Sequence, residues 1–279
     1  MTVTGISAAG APILPEEGRR RFEEDGFTVV RGLFGYEEIA ALRAGFTALH
    51  AAGPVPGHFE PRPSGQDGRP ADPLDAYPRV MQPHEFHEPS LSLLLDPRLR
   101  AVLEVLLGEE VLAAQSMFYF KPPGARGQAL HQDNFYLRVE PGTCVAAWIA
   151  FEPIDRDNGG LEVVPGTHRM DLFCPEEADA GVSFAREYVP PPPGLATVPV
   201  DMAPGDVLFF NGSLVHGSQP NRSADRFRRS FIGHYVGRSA ERIGHFYRTI
   251  SMDGDRVRLR ESEGAGPCGT EFGAASAPH

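Results

Sequence analysis

The sequence has few cysteines, a single tryptophan and no long hydrophobic run. Three cysteines stand among 279 residues, and Cys144, Cys174 and Cys268 show no CxxC spacing. An odd number of cysteines without that spacing argues against both a disulfide framework and a structural zinc site. No hydrophobic stretch approaches the roughly 18 residues that a membrane-spanning helix needs, so we expect no membrane association.

The N-terminus lacks the features of a secretory signal. It reads Met-Thr-Val-Thr-Gly-Ile-Ser, with neither a basic start nor a long apolar segment behind it. Because the cysteine content also suits a reducing compartment, we expect a cytoplasmic protein.

Positive charge is also scarce. Lysine and arginine total 26 against 37 acidic residues, which gives a formal net charge of -11. Nucleic-acid binding needs a basic face that neutralises phosphates, so we expect no nucleic-acid partner. The exception is a cluster of arginines at positions 222, 226, 228 and 229, which suits a small anionic ligand better than a duplex.

Helical patterns precede strand patterns along the chain. Charged or apolar residues recur with helical spacing over residues 16–24, 36–50 and 90–107, and Gly26 and Gly108 are placed to end the first and third helices. Short β-branched or aromatic runs separated by turn residues follow at 111–120, 130–139, 144–151, 161–164, 196–200, 206–210 and 231–235. This order disfavours a parallel doubly wound sheet and favours a β-sandwich or barrel.

The expected organisation is one domain with a mobile segment at each end. A chain of this length with 41% hydrophobic residues can bury one large core. We expect a mobile N-terminus over residues 1–15, a single domain over 16–260 and a flexible tail over 261–279. Two loops, 52–75 and 170–193, carry little periodicity and are expected to select the substrate.

Three residues form a candidate metal site. His131-Gln132-Asp133 lies in a strand-like run, where residues two apart point to the same face. His216 follows an aromatic strand far downstream and can complete a set of two imidazoles and one carboxylate. Such a facial triad leaves coordination positions open on iron(II) for a chelating co-substrate and oxygen, although these ligands also suit manganese or zinc.

An arginine twelve residues beyond His216 strengthens this interpretation. At the start of the next strand it could fold back beside the metal. A guanidinium pairs bidentately with a carboxylate, which a lysine does less specifically. A dicarboxylate that chelates iron at its other end would need such a partner.

The ordered motifs resemble those of the phytanoyl-CoA dioxygenase family, a branch of the iron(II)- and 2-oxoglutarate-dependent oxygenases. The resemblance covers residues 16–235, and its pieces occur in the family's order: Phe22-Glu23-Glu24-Asp25-Gly26-Phe27, Lys121-Pro122-Pro123, His131-Gln132-Asp133, Trp148, the segment 157–168 and His216-Gly217-Ser218. It implies a mainly β fold, a double-stranded β-helix (a cupin-like jelly roll) with N-terminal helices buttressing one sheet. It also implies Fe(II) held by His131, Asp133 and His216.

The resemblance further implies how 2-oxoglutarate binds. Arg228 would pair with its C5-carboxylate, and Ser218 would support the same group. The family usually places this arginine eleven residues after the distal histidine, so Arg226 and Arg229 stay as lesser alternatives. The remaining implied contacts with the co-substrate are Trp148, Met117 and Arg79.

The function implied is hydroxylation of an unactivated C–H bond of a small molecule, an amino-acid derivative or natural-product intermediate, with release of succinate and CO2. The expected partners are this substrate and O2, in a monomer or weak homo-oligomer. The same cofactors could instead support desaturation, epoxidation or ring formation. A zinc-dependent cupin-type hydrolase and a binding-only jelly roll compete with the oxygenase interpretation. Because Asp133 occupies the position that halogenases leave to a small residue, halogenation is not expected.

Overall fold

The computed structural model describes residues 14–63, 72–263 and 268. Its α-helices are α1 (Glu16–Asp25), α2 (Tyr36–Ala52), α3 (Pro73–Ala76), α4 (Glu88–Leu94), α5 (Pro97–Leu107) and α6 (Asn134–Leu137). Its strands are β1 (Phe27–Val30), β2 (Val80–Met81), β3 (Val111–Tyr119), β4 (Gln128–His131), β5 (Cys144–Ala150), β6 (Leu161–Val163), β7 (Glu176–Glu177), β8 (Glu187–Tyr188), β9 (Val198–Pro199), β10 (Val207–Asn211), β11 (His216–Ser218), β12 (Ser230–Gly237), β13 (Arg242–Ile243), β14 (Ile250–Ser251) and β15 (Arg260–Glu261).

Two antiparallel sheets form the body of the fold. The major sheet has the order β1-β10-β5-β12-β3-β14, with β2 also paired to β3. The minor sheet has the order β4-β11-β6-β9. Strands distant in sequence thus become neighbours, as in a jelly roll, and the predicted fold class is confirmed.

The major sheet separates two hydrophobic layers, because alternate residues of a strand point to opposite faces. On β12, Phe231 and Tyr235 pack in the same cluster as the helical residues Phe46 and Leu99. Ile232 packs on the other face, with residues of both sheets. The helices therefore buttress one face of the major sheet, as predicted, and the other face closes the interior of the roll.

The predicted helix over residues 90–107 is two helices. The helix α4 ends at Leu94, and α5 begins at Pro97. A proline disfavours helical backbone in the residue before it, and Asp96 is accordingly extended, with φ −59° and ψ 129°. Its carboxylate accepts the backbone N–H of Arg98 at 2.8 Å, so Asp96 caps the second helix instead of continuing the first.

The predicted strand over residues 130–139 is wrong beyond its start. The strand β4 ends at His131, and Asp133 is helical, with φ −61° and ψ −37°, immediately before α6. The backbone N–H of Asn134 donates to the carbonyl of Gly212 at 2.8 Å, so the chain turns here against the segment before β11. Apolar residues in a four-residue helix cannot be distinguished from a strand by periodicity alone.

The cysteine count argues against a disulfide framework, yet the structure contains one disulfide. Cys174 and Cys268 are bonded across 94 residues of sequence, with a Cα–Cα distance of 5.6 Å, while Cys144 is free and buried. Sequence spacing alone does not reveal that two cysteines so far apart in the sequence are close in the fold.

The pair β7–β8 lies in the loop predicted over 170–193, and β15 pairs with β13. Residues 1–13, 64–71, 264–267 and 269–279 lie outside the described residues.

Among the helices of the described residues, none combines the length and hydropathy that crossing a bilayer requires.

The cap at Asp96 can be tested. Because Asp96→Ala removes the acceptor for the Arg98 N–H, it should lower the free energy of unfolding by about 1 kcal/mol. Urea unfolding followed by circular dichroism measures this change, and Asp171→Ala at an exposed loop position is the matched control. Equal losses in the two variants would contradict the cap.

Candidate metal centre

Two histidines meet as a cross-strand pair in the minor sheet. His131 ends β4 and His216 begins β11, and the two residues lie directly opposite each other in the antiparallel register. Their ring centroids are 4.3 Å apart, and both side chains are buried. Sheet pairing therefore brings together residues that are remote in sequence.

Backbone carbonyls fix the orientation of both imidazoles. The Nδ1–H of His131 donates to the carbonyl of Ala129 at 2.7 Å, and the Nδ1–H of His216 donates to the carbonyl of Leu214 at 2.9 Å. In the neutral rings this arrangement leaves Nε2 as the lone-pair atom. Metal-binding histidines are commonly oriented by such a bond at their other nitrogen.

Asp133 completes the cluster. Its Oδ1 lies 3.5 Å from Nε2 of His131 and 3.6 Å from Nε2 of His216. One ligand atom from each of the three residues lies within 4.8 Å of the others, so the group could hold a metal ion. The reasoning from a continuous strand was wrong for Asp133, since the turn into α6, and not strand alternation, places its carboxylate here.

The protonation states suit a cationic ligand. Burial lowers the pKa of His216 to about 4, so this imidazole is neutral at pH 7. Burial acts to raise the pKa of Asp133, but its contacts with the surrounding imidazoles, above all His216 and His234, hold that pKa well below its ordinary value. The amide of Gln128 donates to Nε2 of His131 at 3.1 Å, and a bound ion would displace it.

Arg228 lies in the same cavity. Its side chain is buried, NH1 donates to Oγ of Ser230 at 2.7 Å, and Nε has no hydrogen-bond partner in the described part of the chain. The guanidinium carbon lies 5.2 Å from the ring centroid of Trp148 and 5.6 Å from that of Tyr119. Burial lowers the pKa of Arg228 to about 10, so it remains charged at pH 7.

The two neighbouring arginines point elsewhere. Arg226 pairs with Asp155 through two bonds of 2.7 and 3.0 Å, and Arg229 pairs with Glu152. Neither lines the cavity of the triad. Of the three candidates, Arg228 alone therefore presents its guanidinium to the metal cavity.

Ser218 also faces this cavity, and Lys121 orients it. The ammonium of Lys121 donates to Oγ of Ser218 at 2.9 Å, and the backbone N–H of Gln128 donates to the same oxygen at 3.3 Å. The hydroxyl oxygen thus accepts two bonds, which leaves its O–H for a third partner. Burial first, and then the charge of Arg228, lower the pKa of Lys121 well below its ordinary value.

The position of Arg228 depends on a polar frame around its turn. The backbone N–H of Arg228 donates to the carbonyl of Lys121 at 3.0 Å. The amide of Asn221 donates to the carbonyls of Lys121 and Arg226 at 3.0 and 2.7 Å. Asn158, from the turn before β6, donates to the carbonyl of Phe227 at 3.2 Å. These bonds hold the strand opening next to the triad.

The cavity collects most, but not all, of the predicted residues. It is lined by Met117, Tyr119, Gln128, His131, Asp133, Trp148, Leu161, Phe210, His216, Gly217, Ser218, Arg228, Ile232 and His234. Arg79 lines a neighbouring cavity of about 200 Å³, which shares Tyr119 and Arg228 with the first. The guanidinium of Arg79 lies over the rings of Tyr119 and Phe184, at 5.8 and 5.2 Å.

Among the residues to which sequence reasoning gave no role, Lys121 and His234 hydrogen-bond directly to predicted site residues. Lys121 stands out in the sequence only as part of a motif, which does not reveal its hydrogen bond to Ser218. His234 donates from Nε2 to Oδ2 of Asp133 at 3.0 Å. The available signal was its position on the same strand face as Ile232, which lines the cavity.

Comparison with known proteins identifies the family of this chain. The family model for phytanoyl-CoA dioxygenase matches residues 22–230. The peroxisomal phytanoyl-CoA dioxygenase of Mus musculus is 30% identical over 235 residues, which cover 80% of this chain and 68% of the mouse protein.

Two of the solved structures that resemble this chain are proteins of nogalamycin biosynthesis. The non-heme alpha ketoglutarate dependent carbocyclase SnoK from nogalamycin biosynthesis is 25% identical with a TM-score of 0.66, covering 85% of this chain and 88% of its own. The epimerase SnoN, solved with Fe3+ and alpha ketoglutarate, is 23% identical with a TM-score of 0.60, covering 81% and 84%, and supports the fold alone. The chain belongs to the phytanoyl-CoA dioxygenase family and is an iron- and 2-oxoglutarate-dependent oxygenase.

Proposed function

We propose that this protein hydroxylates an unactivated C–H bond of a small molecule, an amino-acid derivative or natural-product intermediate, with release of succinate and CO2. The observation that carries the proposal is one cavity lined by both the triad of His131, Asp133 and His216 and the buried Arg228. When bound, iron(II) and 2-oxoglutarate supply the oxidising chemistry, and the protein supplies binding and orientation.

We assign His131, Asp133 and His216 as the iron ligands. Two neutral imidazoles and one carboxylate form the facial set that suits non-haem iron(II) and leaves positions open for a chelating co-substrate. The carbonyls of Ala129 and Leu214 orient both Nε2 atoms before any ion binds. Because little reorganisation is then needed on binding, the site favours the metal.

We assign Arg228 and Ser218 to the C5-carboxylate of 2-oxoglutarate. A buried guanidinium is costly without an anionic partner, and Arg228 has none among the described residues. The O–H of Ser218 is available to the same carboxylate because Lys121 and the N–H of Gln128 donate to its oxygen. Trp148 and Met117 would form the apolar walls around the co-substrate.

The contact of Arg79 with the co-substrate stays a prediction of the family resemblance. Arg79 belongs to the neighbouring cavity, and no acidic side chain is paired with it in the described residues. Both cavities share Arg228, so a contact from this side would concern the same end of the co-substrate.

Ring formation is the second candidate reaction. It is favoured by the similarity to SnoK, a carbocyclase 25% identical to this chain. Desaturation and epoxidation use the same cofactors and remain open. A zinc-dependent hydrolase would leave the buried Arg228 without a binding partner. Membership of an oxygenase family argues against a jelly roll that only binds a ligand.

The reaction type can be measured directly. We expect the enzyme, incubated anaerobically with iron(II), 2-oxoglutarate and a metabolite extract and then exposed to O2, to add one oxygen atom to a metabolite and form equimolar succinate. Mass spectrometry of the mixture identifies the product. A product that has lost two hydrogen atoms and gained no oxygen would show that the reaction is ring closure or desaturation and not hydroxylation.

The ligand assignment predicts the behaviour of metal binding. His131→Ala, Asp133→Ala and His216→Ala should each remove most of the iron bound to the purified protein while the circular dichroism spectrum persists. Each loses one of only three protein ligands, and no other residue of the described cluster can replace it. Metal content is read by atomic absorption, with His168→Ala as control. A His216→Ala protein with one iron per chain would refute the assignment.

The assignment of Arg228 predicts the affinity for 2-oxoglutarate. Arg228→Ala would leave the C5-carboxylate buried and unpaired, which costs roughly 2–5 kcal/mol. The Kd should rise by about thirty-fold to several-thousand-fold. Anaerobic titration of the iron protein, followed by the iron-to-keto charge-transfer band, measures the Kd.

Arg226→Ala and Arg229→Ala are the matched controls for this titration. Each removes a charge whose partner lies outside the metal cavity, so the Kd should change less than about threefold. Arg228→Lys should recover only part of the loss, since an ammonium cannot reproduce the bidentate pair. A large rise in the Kd of only one control variant would show that its arginine, and not Arg228, binds the C5-carboxylate.

A further inference from the structure

His234 is a fully buried histidine that contacts the candidate metal ligands without belonging to them. It lies on β12, six residues after Arg228, and its neighbours across the sheet are Gln115 on β3 and Ala146 on β5. Its side chain enters the metal cavity beside Ile232. The assignment of three ligands and one co-substrate arginine gives this residue no role.

The two oxygens of the Asp133 carboxylate have different partners. Oδ2 accepts the N–H of His234 Nε2 at 3.0 Å. Oδ1 faces the ligand nitrogens of His131 and His216, at 3.5 and 3.6 Å. One oxygen is thus directed to the metal position and the other is bonded to the protein.

The hydrogen-bonding pattern of His234 is the reverse of that of the two ligand histidines. Those rings donate from Nδ1 and direct Nε2 to the metal position. His234 directs Nε2 to a carboxylate, and its buried Nδ1 has no partner within the described residues. A ring that carries its hydrogen on Nε2 satisfies the carboxylate and leaves at Nδ1 a lone pair, which costs less than a buried N–H without an acceptor.

The backbone does not by itself hold Asp133 in this orientation. Its strand has already ended, and the residue lies in a helical conformation at the start of a four-residue helix. A carboxylate can bind a metal through one or both oxygens, and a second metal–oxygen bond would occupy a position that the co-substrate or O2 needs. A donor fixed on the central strand β12 can prevent that.

We propose that His234 is a positioning residue that holds Asp133 as a ligand through one oxygen and so keeps a coordination position open. The inference rests on the proposed function, because it takes Asp133 to be an iron ligand. His234 acts on the metal only through Asp133. Partners of this kind orient metal ligands, and their loss typically weakens metal affinity or activity by about 10–100-fold.

The test uses the metal-free full-length protein, titrated anaerobically with Fe(II) in the absence of 2-oxoglutarate. His234→Ala should raise the Kd for Fe(II) by about 10–100-fold, because the carboxylate of Asp133 is then no longer held toward the metal position before the ion binds. His168→Ala is the matched control, since His168 is a half-buried histidine whose Nε2 donates to the carbonyl of Glu23, away from the cavity. Its Kd should equal that of the wild-type protein.

Two conservative variants separate positioning from packing. His234→Gln places an amide N–H near the position of Nε2 and should restore the affinity to within a few-fold. His234→Asn is too short to place its amide there and should behave like His234→Ala. Should the alanine variant fail to fold, this pair still decides the question. Equal affinities in the glutamine and asparagine variants would overturn the proposal.

X-ray absorption of the Co(II)-loaded proteins measures the number of oxygen ligands on the metal. That number would not change if His234 only supported the packing of the fold. The carboxylate of His234→Ala should contribute two oxygen ligands, and that of the wild-type protein one. Unchanged Co(II) coordination together with an unchanged Kd for Fe(II) would overturn the role of His234. That outcome leaves the proposed function standing, whereas normal metal binding by Asp133→Ala would reject the ligand assignment itself.

Discussion

The constraint on which the site depends is the burial of opposite charges in one cavity. The carboxylate of Asp133 and the guanidinium of Arg228 both lie inside the roll, where an unpaired charge is costly. His131, His216 and His234 surround Asp133, while the guanidinium of Arg228 contacts a hydroxyl and aromatic rings but no carboxylate in the part of the chain that the structure describes. The protein thus gives the carboxylate of Asp133 a hydrogen-bond donor in His234, and it gives the guanidinium of Arg228 no carboxylate partner among the described residues. A metal-chelating dicarboxylate is the ligand that we propose for this pair of charges.

The jelly roll produces this arrangement through pairing between strands that are distant in sequence. The minor sheet places His131 opposite His216, the major sheet carries His234 on β12, and Arg228, two residues before that strand, lines the same cavity. Lys121 and the asparagines 158 and 221 hold the turn before β12 with side-chain-to-backbone bonds. The helices on the outer face bury the opposite side of β12, so the strand that follows Arg228 is packed on both faces.

Much of this could be predicted from the sequence. The alternation of short strands and turns indicated the fold class, and the ordered motifs indicated the family. Local reasoning failed where tertiary contacts decide the structure. The sequence at Asp96-Pro97 contains a helix break inside an apparently continuous apolar pattern, and the turn at Asp133 follows from contact with Gly212. The Cys174–Cys268 bond joins residues 94 apart. His234 could not be distinguished from other histidines until the register of β12 was known.

The central claim is that the triad and Arg228 together hold one chelated co-substrate. An anaerobic crystal structure of the protein with Fe(II) and 2-oxoglutarate tests it most directly. We expect iron bound by Nε2 of His131, Nε2 of His216 and one oxygen of Asp133, with the far carboxylate of 2-oxoglutarate on the guanidinium of Arg228. Iron held by other residues, or a co-substrate whose far carboxylate lies away from Arg228, would contradict the claim.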